Sequence, residues 1–361
     1  MIYRAIGVMS GSSLDGLDIA FAEFHENAGQ WSYEIKQAVC YNYSPGWIEK
    51  LKSAAKLSAL DYQFLHTEYG HYIGQQVNRF MNEFNFHYQV SLVASHGHTV
   101  FHYPGKKMTA QIGDGAAIAA ETKLPVVSDL RSLDVAFGGQ GAPIVPVGEK
   151  FMLQGYRFFL NLGGIANLSV NDEDYIGFDI CAANRVLNLL ANEEGKEFDE
   201  DGSIAKQGKV NEKILAQLNA LSFYQQPFPK SLANEFGTDV VFPILKKSAL
   251  SIQDALCTYV EHIVVQIKNA VKKFNNNQPE KMLVTGGGAF NTFLIERLKD
   301  ELKLDNTEVV VPDEMLVKFK EAVIMALIGV LRWRQEYNVF ASVTGAERNS
   351  IGGALWIGQE A

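Results

Sequence analysis

One pattern constrains this chain most, because it occurs twice. Residues 6–24 read as an apolar run, a turn of small residues and a second apolar run (IGVMSGSSLDGLDIAFAEF). Residues 159–180 do the same (FLNLGGIANLSVNDEDYIGFDI). Each stretch predicts a strand, a tip of glycine and small polar residues, and a returning strand. Strand and helix patterns alternate around both hairpins, which indicates an α/β chain with one hairpin in each half. A length of 361 residues favours two domains over one.

The remaining elements follow from periodicity and turn chemistry. Strands are predicted at 3–9, 18–24, 32–43, 90–95, 109–112 and 126–130. Ser44-Pro45 opens a helix, with serine as cap and proline in the first turn. A longer helix is predicted over 59–86 and a short one over 116–122. The segment Phe137-Gly138-Gly139-Gln140-Gly141-Ala142-Pro143 punctuates the chain. Strands at 157–161, 167–170 and 175–180 follow, then helical patterns from 184 to 274. A strand at 282–285 runs into a helix from about 291, and a strand at 309–311 precedes a buried helix over 321–333. The expected domains are 1–130 with about 338–361, and 131–337.

Charge narrows the function. A net charge of −9 argues against a nucleic-acid or anionic-membrane surface. The longest apolar run, 322–331, is too short for a membrane span, which needs about 20 residues. The start of the chain, MIYRAIGVMSG, lacks the apolar core of a secretion signal. Cys40, Cys181 and Cys257 are odd in number and form no CxxC pair, so reduced thiols and a cytoplasmic location are expected.

Three glycine clusters carry the chemistry. In Ser10-Gly11-Ser12-Ser13-Leu14-Asp15-Gly16-Leu17-Asp18, Gly11 and Gly16 allow tight turns and close approach of a ligand. Its hydroxyls and N–H groups suit phosphate oxygens, and Asp15 and Asp18 suit Mg²⁺ through water. Gly163 and Gly164 tip the second hairpin in the same way. Either tip alone reads equally as a plain polar turn. Gly286-Gly287-Gly288 follows a buried strand and leads through Asn291 into a helix, the place where α/β folds bind ligands. No GxxxxGK[ST] loop is present. Asp179, at a strand end beside such a cleft, is a general-base candidate and equally an N-cap for the helix beginning at 184. His96, His98 and His102 invite a metal reading, yet a zinc site needs a third ligand and an open position, and His102 falls in an expected bend.

GVMSGSSLDGLD, SHGHT, SDLRSLDVAFGGQGAPIVP, NLGGIANLS, GFD, TGGGAFN, Glu321-Ala322 and VTGA occur in this order, from Gly7 to about Gly353. In that order they resemble the anhydro-N-acetylmuramic acid kinases, members of the actin-like ATPase superfamily of sugar kinases. The resemblance implies a two-domain α/β fold with ATP and Mg²⁺ in an interdomain cleft, a small sugar as partner, and a homodimer. It makes Asp179 the base that activates water against the anomeric carbon of a 1,6-anhydro sugar while the freed 6-oxygen takes the γ-phosphoryl group. It places His96, Arg131, Asn184 and Glu321 on the sugar side, with Arg131 able to pair with a lactyl carboxylate. Arg131 reads equally as a surface salt bridge, and Glu321 as an acid opening a helix. The chain departs from the family where Asp-Thr-Gly-Pro-Gly-Asn is usual and Asp179-Ile180-Cys181-Ala182-Ala183-Asn184 stands instead. Loss of that glycine and proline predicts an altered turn after Asp179. It keeps open a kinase for another anhydro or free sugar, or a non-catalytic ATP- or sugar-binding sensor.

Overall fold

The computed structural model describes residues 1–358 except 12, 173, 174, 229, 234 and 277. The chain forms two compact units: Met1–Gln154 with the segment from Phe319 onward, and Gly155–Lys318.

The first unit is built on a six-stranded sheet in the order β13-β7-β4-β1-β2-β3. Its strands are β1 (Ile2–Ser10), β2 (Gly16–Asn27), β3 (Gln30–Asn42), β4 (Leu92–Ser95), β7 (Val126–Ser128) and β13 (Ala354–Trp356). β1, β2 and β3 form an antiparallel meander, and β4 and β7 run parallel to β1. A separate hairpin pairs β5 (His98–Tyr103) with β6 (Met108–Ile112). His102 therefore lies in a strand opposite Thr109 and not in a bend. A bulge between Thr99 and Phe101 breaks the alternation that would have marked β5 in the sequence.

Helices α1 (Pro45–Ser53), α2 (Ala59–Glu83) and α3 (Gly115–Thr122) belong to this unit. Ser44 and Ser58 cap the first two by accepting from Trp47 and Asp61 N–H groups. Helix α2 buries Leu65, Tyr69, Ile73, Val77 and Phe80, a stripe of helical period, against Ile6, Val8, Leu17 and Ile19 of the meander.

The second unit repeats the plan. Its sheet, in the order β10-β9-β8-β11-β12, comprises β8 (Phe158–Leu162), β9 (Ile165–Val170), β10 (Ile176–Ala182), β11 (Glu280–Thr285) and β12 (Thr307–Val310). Again a three-strand antiparallel meander is followed by two strands parallel to its first member. The repeated hairpin pattern in the sequence is thus a repeated topology. Helices α4 (Asn184–Asn192), α5 (Ile252–Phe274) and α6 (Thr292–Lys303) complete the unit, and α5 carries its apolar face into the core at Leu256, Tyr259, Val260, Ile263, Val264 and Ile267.

The last long helix, α7, spans Glu314–Trp333 and starts earlier than the apolar run suggests. Asp313 accepts from the Leu316 N–H and sets that start. Glu321 consequently lies more than a turn inside α7 and does not open it. From Phe319 on, α7 packs backbone to backbone: a Cβ on Gly7 of β1 would stand 1.8 Å from the Ala322 carbonyl oxygen. Among the described residues, no helix is long and apolar enough to cross a membrane.

Candidate active site

In the first unit, the β1–β2 connection is organised by a carboxylate. Asp15 Oδ1 accepts from Ser13 Oγ at 2.7 Å and from the Gly16 N–H at 3.0 Å, and Leu14 takes a left-handed φ of 58°. Ser12 lies outside the described residues. Leu17 is fully buried in the core, so only its backbone faces the tip. Asp18 sits in β2 opposite Met9 and Cys40, and the Cys40 thiol donates to it. Burial raises the Asp18 pKa to about 6, and the charges of Asp15 and Glu321 push in the same direction. Asp18 thus feels two further carboxylates beside the polar tip.

These residues fit Mg²⁺ in the way that ion is usually held. Among the described residues, no three His, Cys, Asp or Glu side chains converge as a closed metal site. Mg²⁺ typically takes only one or two carboxylates, with waters and phosphate oxygens filling the rest. A divalent ion near Asp15 and Asp18 would also offset the repulsion that adds to the effect of burial on Asp18.

A second group surrounds Arg131. Its Nε donates to His96 Nε2 at 2.8 Å, and its Nη1 donates to the Gly141 carbonyl. His96 Nδ1 faces the Gly97 carbonyl oxygen at 2.9 Å, which fixes Nδ1 as the protonated nitrogen. Burial and the adjacent guanidinium hold His96 neutral, with its pKa near 3. Burial also lowers Arg131 to about 10, against the opposing pull of Glu321 and Asp134. Arg131 is therefore a half-buried cation held by His96 and the Gly141 carbonyl and not a surface ion pair.

Asp134 is a residue the sequence did not single out. It is 1% exposed, and its carboxylate accepts from the Gly141 N–H at 2.7 Å and Thr344 Oγ1 at 2.7 Å. A Cβ on Gly139 would stand 2.3 Å from Asp134 Oδ2, so the GGQGAP segment is wrapped around this carboxylate. The loop in turn holds the Gly141 carbonyl that receives Arg131. A further buried chain joins His98 Nδ1 to Ser10 Oγ at 3.1 Å and Ser10 Oγ to Tyr43 OH at 2.8 Å. His102 Nδ1 is engaged with Thr109 Oγ1 at 3.1 Å. The three histidines thus serve three separate hydrogen-bond pairs.

In the second unit, Gly163 and Gly164 form a two-residue connection between β8 and β9. Their carbonyls accept from the N–H groups of Ala183, Asn184 and Arg185, so the start of α4 is fastened to the tip. Asn184 Nδ2 donates to the Leu162 carbonyl at 2.9 Å. Opposite, Gly286 has φ 83°, and a Cβ there would stand 2.4 Å from Asn161 Oδ1. Gly287 has only Asn184 Nδ2 near its absent Cβ, at 3.6 Å. Asn291 Oδ1 accepts from the Leu294 N–H and caps α6. A cleft of about 440 Å³ opens here, lined by Asn184, Gly287, Gly288 and Asn291 together with the half-exposed rings of Phe198 and Phe290. Gly163 and Gly164 do not line it, and Asn184 stands with the glycine cluster.

Asp179 lies within β10, which continues to Ala182 through a bulge between Asp179 and Cys181. The altered residues thus extend the strand where the sequence suggested a turn, and Cys181, Ala182 and Ala183 are buried. Helix α4 begins at Asn184 with Ala183 as its cap residue, so Asp179 is not its N-cap. Asp179 Oδ2 accepts from the Leu232 N–H at 2.8 Å. Burial raises its pKa, and the Leu232 bond partly offsets this. Oδ1 has no hydrogen-bond partner among the described residues.

A family model described as anhydro-N-acetylmuramic acid kinase matches residues 3–358. The chain is 32% identical to the anhydro-N-acetylmuramic acid kinase of Vibrio parahaemolyticus over 97% of both chains. It is 30% identical to that of Bacillus thuringiensis over 97% of this chain and 98% of the relative. For that of Aliivibrio fischeri the figures are 31% identity, 83% of this chain and 84% of the relative. A match of this length leaves one assignment: the chain belongs to the anhydro-N-acetylmuramic acid kinase family and is an ATP-dependent sugar kinase.

Proposed function

We propose that Asp179 is the general base of a single step that opens 1,6-anhydro-N-acetylmuramic acid with water and phosphorylates it from ATP. Asp179 takes a proton from water, whose oxygen bonds to the anomeric carbon. The bond from that carbon to the 6-oxygen breaks, and the 6-oxygen attacks the γ-phosphorus as ADP leaves. The products are N-acetylmuramic acid 6-phosphate and ADP. The observation that carries this reading is the Asp179 carboxylate itself, with one oxygen held by the Leu232 N–H and its pKa raised by burial. A base tuned upward toward neutral pH is what proton abstraction from water favours.

In this reading the second-unit cleft takes the nucleotide. Gly287 and Gly288 allow close backbone approach, Phe198 and Phe290 offer faces for an adenine ring, and Asn184 and Asn291 line the same space. Asn184 then belongs with the nucleotide, whereas resemblance alone put it with the sugar. Gly163 and Gly164, with the Gly11–Gly16 tip, are assigned to phosphate. Asp15 and Asp18 would hold Mg²⁺, which supplies charge neutralisation at the phosphates. Arg131, oriented by His96, is assigned to the substrate carboxylate, with Glu321 nearby. The two units correspond to the two actin-like ATPase domains, and likeness to the family supports a cytoplasmic homodimer.

Asp179→Asn tests the central assignment. Loss of a positioned base typically costs about 10²–10⁴-fold in turnover. ATP affinity should stay near normal, since Asp179 is not among the residues of the nucleotide cleft. Undiminished turnover in this variant would remove Asp179 from the mechanism.

A further inference from the structure

Strand β10 is an edge strand, so its outer backbone groups need partners from elsewhere. At Asp179 they are supplied by residues 230–232. The Asp179 N–H donates to the Lys230 carbonyl at 2.9 Å, and the Leu232 N–H donates to Asp179 Oδ2 at 2.8 Å. The segment therefore grips both the backbone and the carboxylate of Asp179.

Two anchors hold the segment. Leu232 is buried in the core of the second unit. Lys230 turns its ammonium into a cage of aromatic rings, 4.3 Å from the Phe223 centroid, 4.7 Å from Phe228 and 5.8 Å from Tyr224. It also donates to the Phe223 carbonyl at 2.9 Å. Phe228 packs on Phe178, the residue before Asp179, with centroids 4.3 Å apart. A cation over aromatic faces gains more when desolvated than in open water. The cage thus fixes where the Lys230 carbonyl lies, and with it the reach of the Leu232 N–H.

We propose that Lys230 is the positioning residue for Asp179, acting through the cage and the 230–232 backbone and not by touching the carboxylate. The inference rests on the reading of Asp179 as base. No ion pair joins Lys230 to Asp179 among the described residues, so the effect runs through the Leu232 hydrogen bond. The titratable groups around this arrangement are few. Cys181 on β10 feels Asp179, Lys230 and Tyr224, and Lys273 faces both Lys230 and the Phe228 ring. Burial pushes the Cys181 thiol and the Tyr224 hydroxyl upward, so both stay neutral where Asp179 titrates.

The test is the pH dependence of ADP release in Lys230→Met and Lys230→Arg. Methionine keeps the apolar stem among the rings and removes the cation, so the segment loosens and Asp179 loses its lowering hydrogen bond. The acid limb of kcat/KM should move to higher pH, with turnover reduced about 10–100-fold by misplacement of the base. ATP affinity should stay within about twofold, and arginine should restore the limb. Phe228→Leu, which removes one ring and keeps the lysine, should shift the limb in the same direction by less, and gives the reading if the methionine variant does not fold. An unshifted limb in either variant, with Asp179→Asn inactive, would overturn the role of Lys230 alone. Full turnover by Asp179→Asn would overturn the base assignment beneath it.

Discussion

The two hairpins share a topology and differ in how their tips are held. The β1–β2 tip is the longer of the two and is organised by side chains, with Asp15 accepting from Ser13 and Gly16 and with the Asp18 pKa raised by burial and, to a lesser extent, by the charges of Asp15 and Glu321. The β8–β9 tip is two glycines, and its carbonyls are tied to three N–H groups at the start of α4. One tip presents carboxylates and the other presents backbone. A duplicated scaffold has thus kept its strands and divided its chemistry: the acidic tip suits a cation, and the glycine-built side suits close approach of a nucleotide.

The largest effects should separate the glycines of the two units. Gly286→Ala meets Asn161 Oδ1 at 2.4 Å and must be built at φ 83°, so it should destabilise the fold by about 1–3 kcal/mol. Gly287→Val has open space, its nearest neighbour being Asn184 Nδ2 at 3.6 Å, so it should fold normally and fill the cleft. Its thermal shift with millimolar ATP and Mg²⁺ should vanish, where unaltered protein at 100 times Kd would gain about 2.7 kcal/mol. Gly11→Ala meets only Ser13, with Oγ at 3.4 Å and N at 4.0 Å, and should change stability little. If Gly11→Ala abolished the ATP shift and Gly287→Val kept it, the division between the two units would be reversed.

A smaller effect sharpens the acidic side. Folding raises Asp18 from an ordinary 3.8 to about 6, so the native state holds a proton that the unfolded chain has released. The contribution of Asp18 to stability is therefore most favourable below about pH 4 and is lost as pH rises through 6. Asp18→Asn removes this penalty and should be more stable than the parent at pH 7.5, by about 1–3 kcal/mol, with no advantage at pH 3.5. Metal-free denaturant titrations at both pH values read this directly. The same variant should need more Mg²⁺ for activity. An equal effect of Asp18→Asn at both pH values would show that folding does not raise the Asp18 pKa.

What was legible in the sequence is what local chemistry encodes. The hairpins showed because glycine and small residues interrupt apolar runs, and the GGG cluster showed because it follows a buried strand. Asp134 did not, because its hydroxyl partner Thr344 is more than two hundred residues away. The Lys230 cage was hidden for the same reason: lysine among aromatic residues reads as surface until the fold places Asp179 beside it. Strand β5 was hidden by its bulge, and the start of α7 by an apolar run that begins only after its second turn. The residues after Asp179 were visible as altered, but only the backbone shows that Cys181 and Ala182 lengthen β10.

The coupling of water attack to phosphoryl transfer is tested most directly by following oxygen. Turnover of 1,6-anhydro-N-acetylmuramic acid with ATP and Mg²⁺ in ¹⁸O-labelled water, quenched before the anomeric oxygen exchanges, separates the alternatives by mass spectrometry. Water activated by Asp179 predicts one label on the anomeric carbon, none in the phosphate, and phosphate on the 6-oxygen. Product phosphorylated without label at the anomeric carbon, or formed only from the free sugar, would contradict the account.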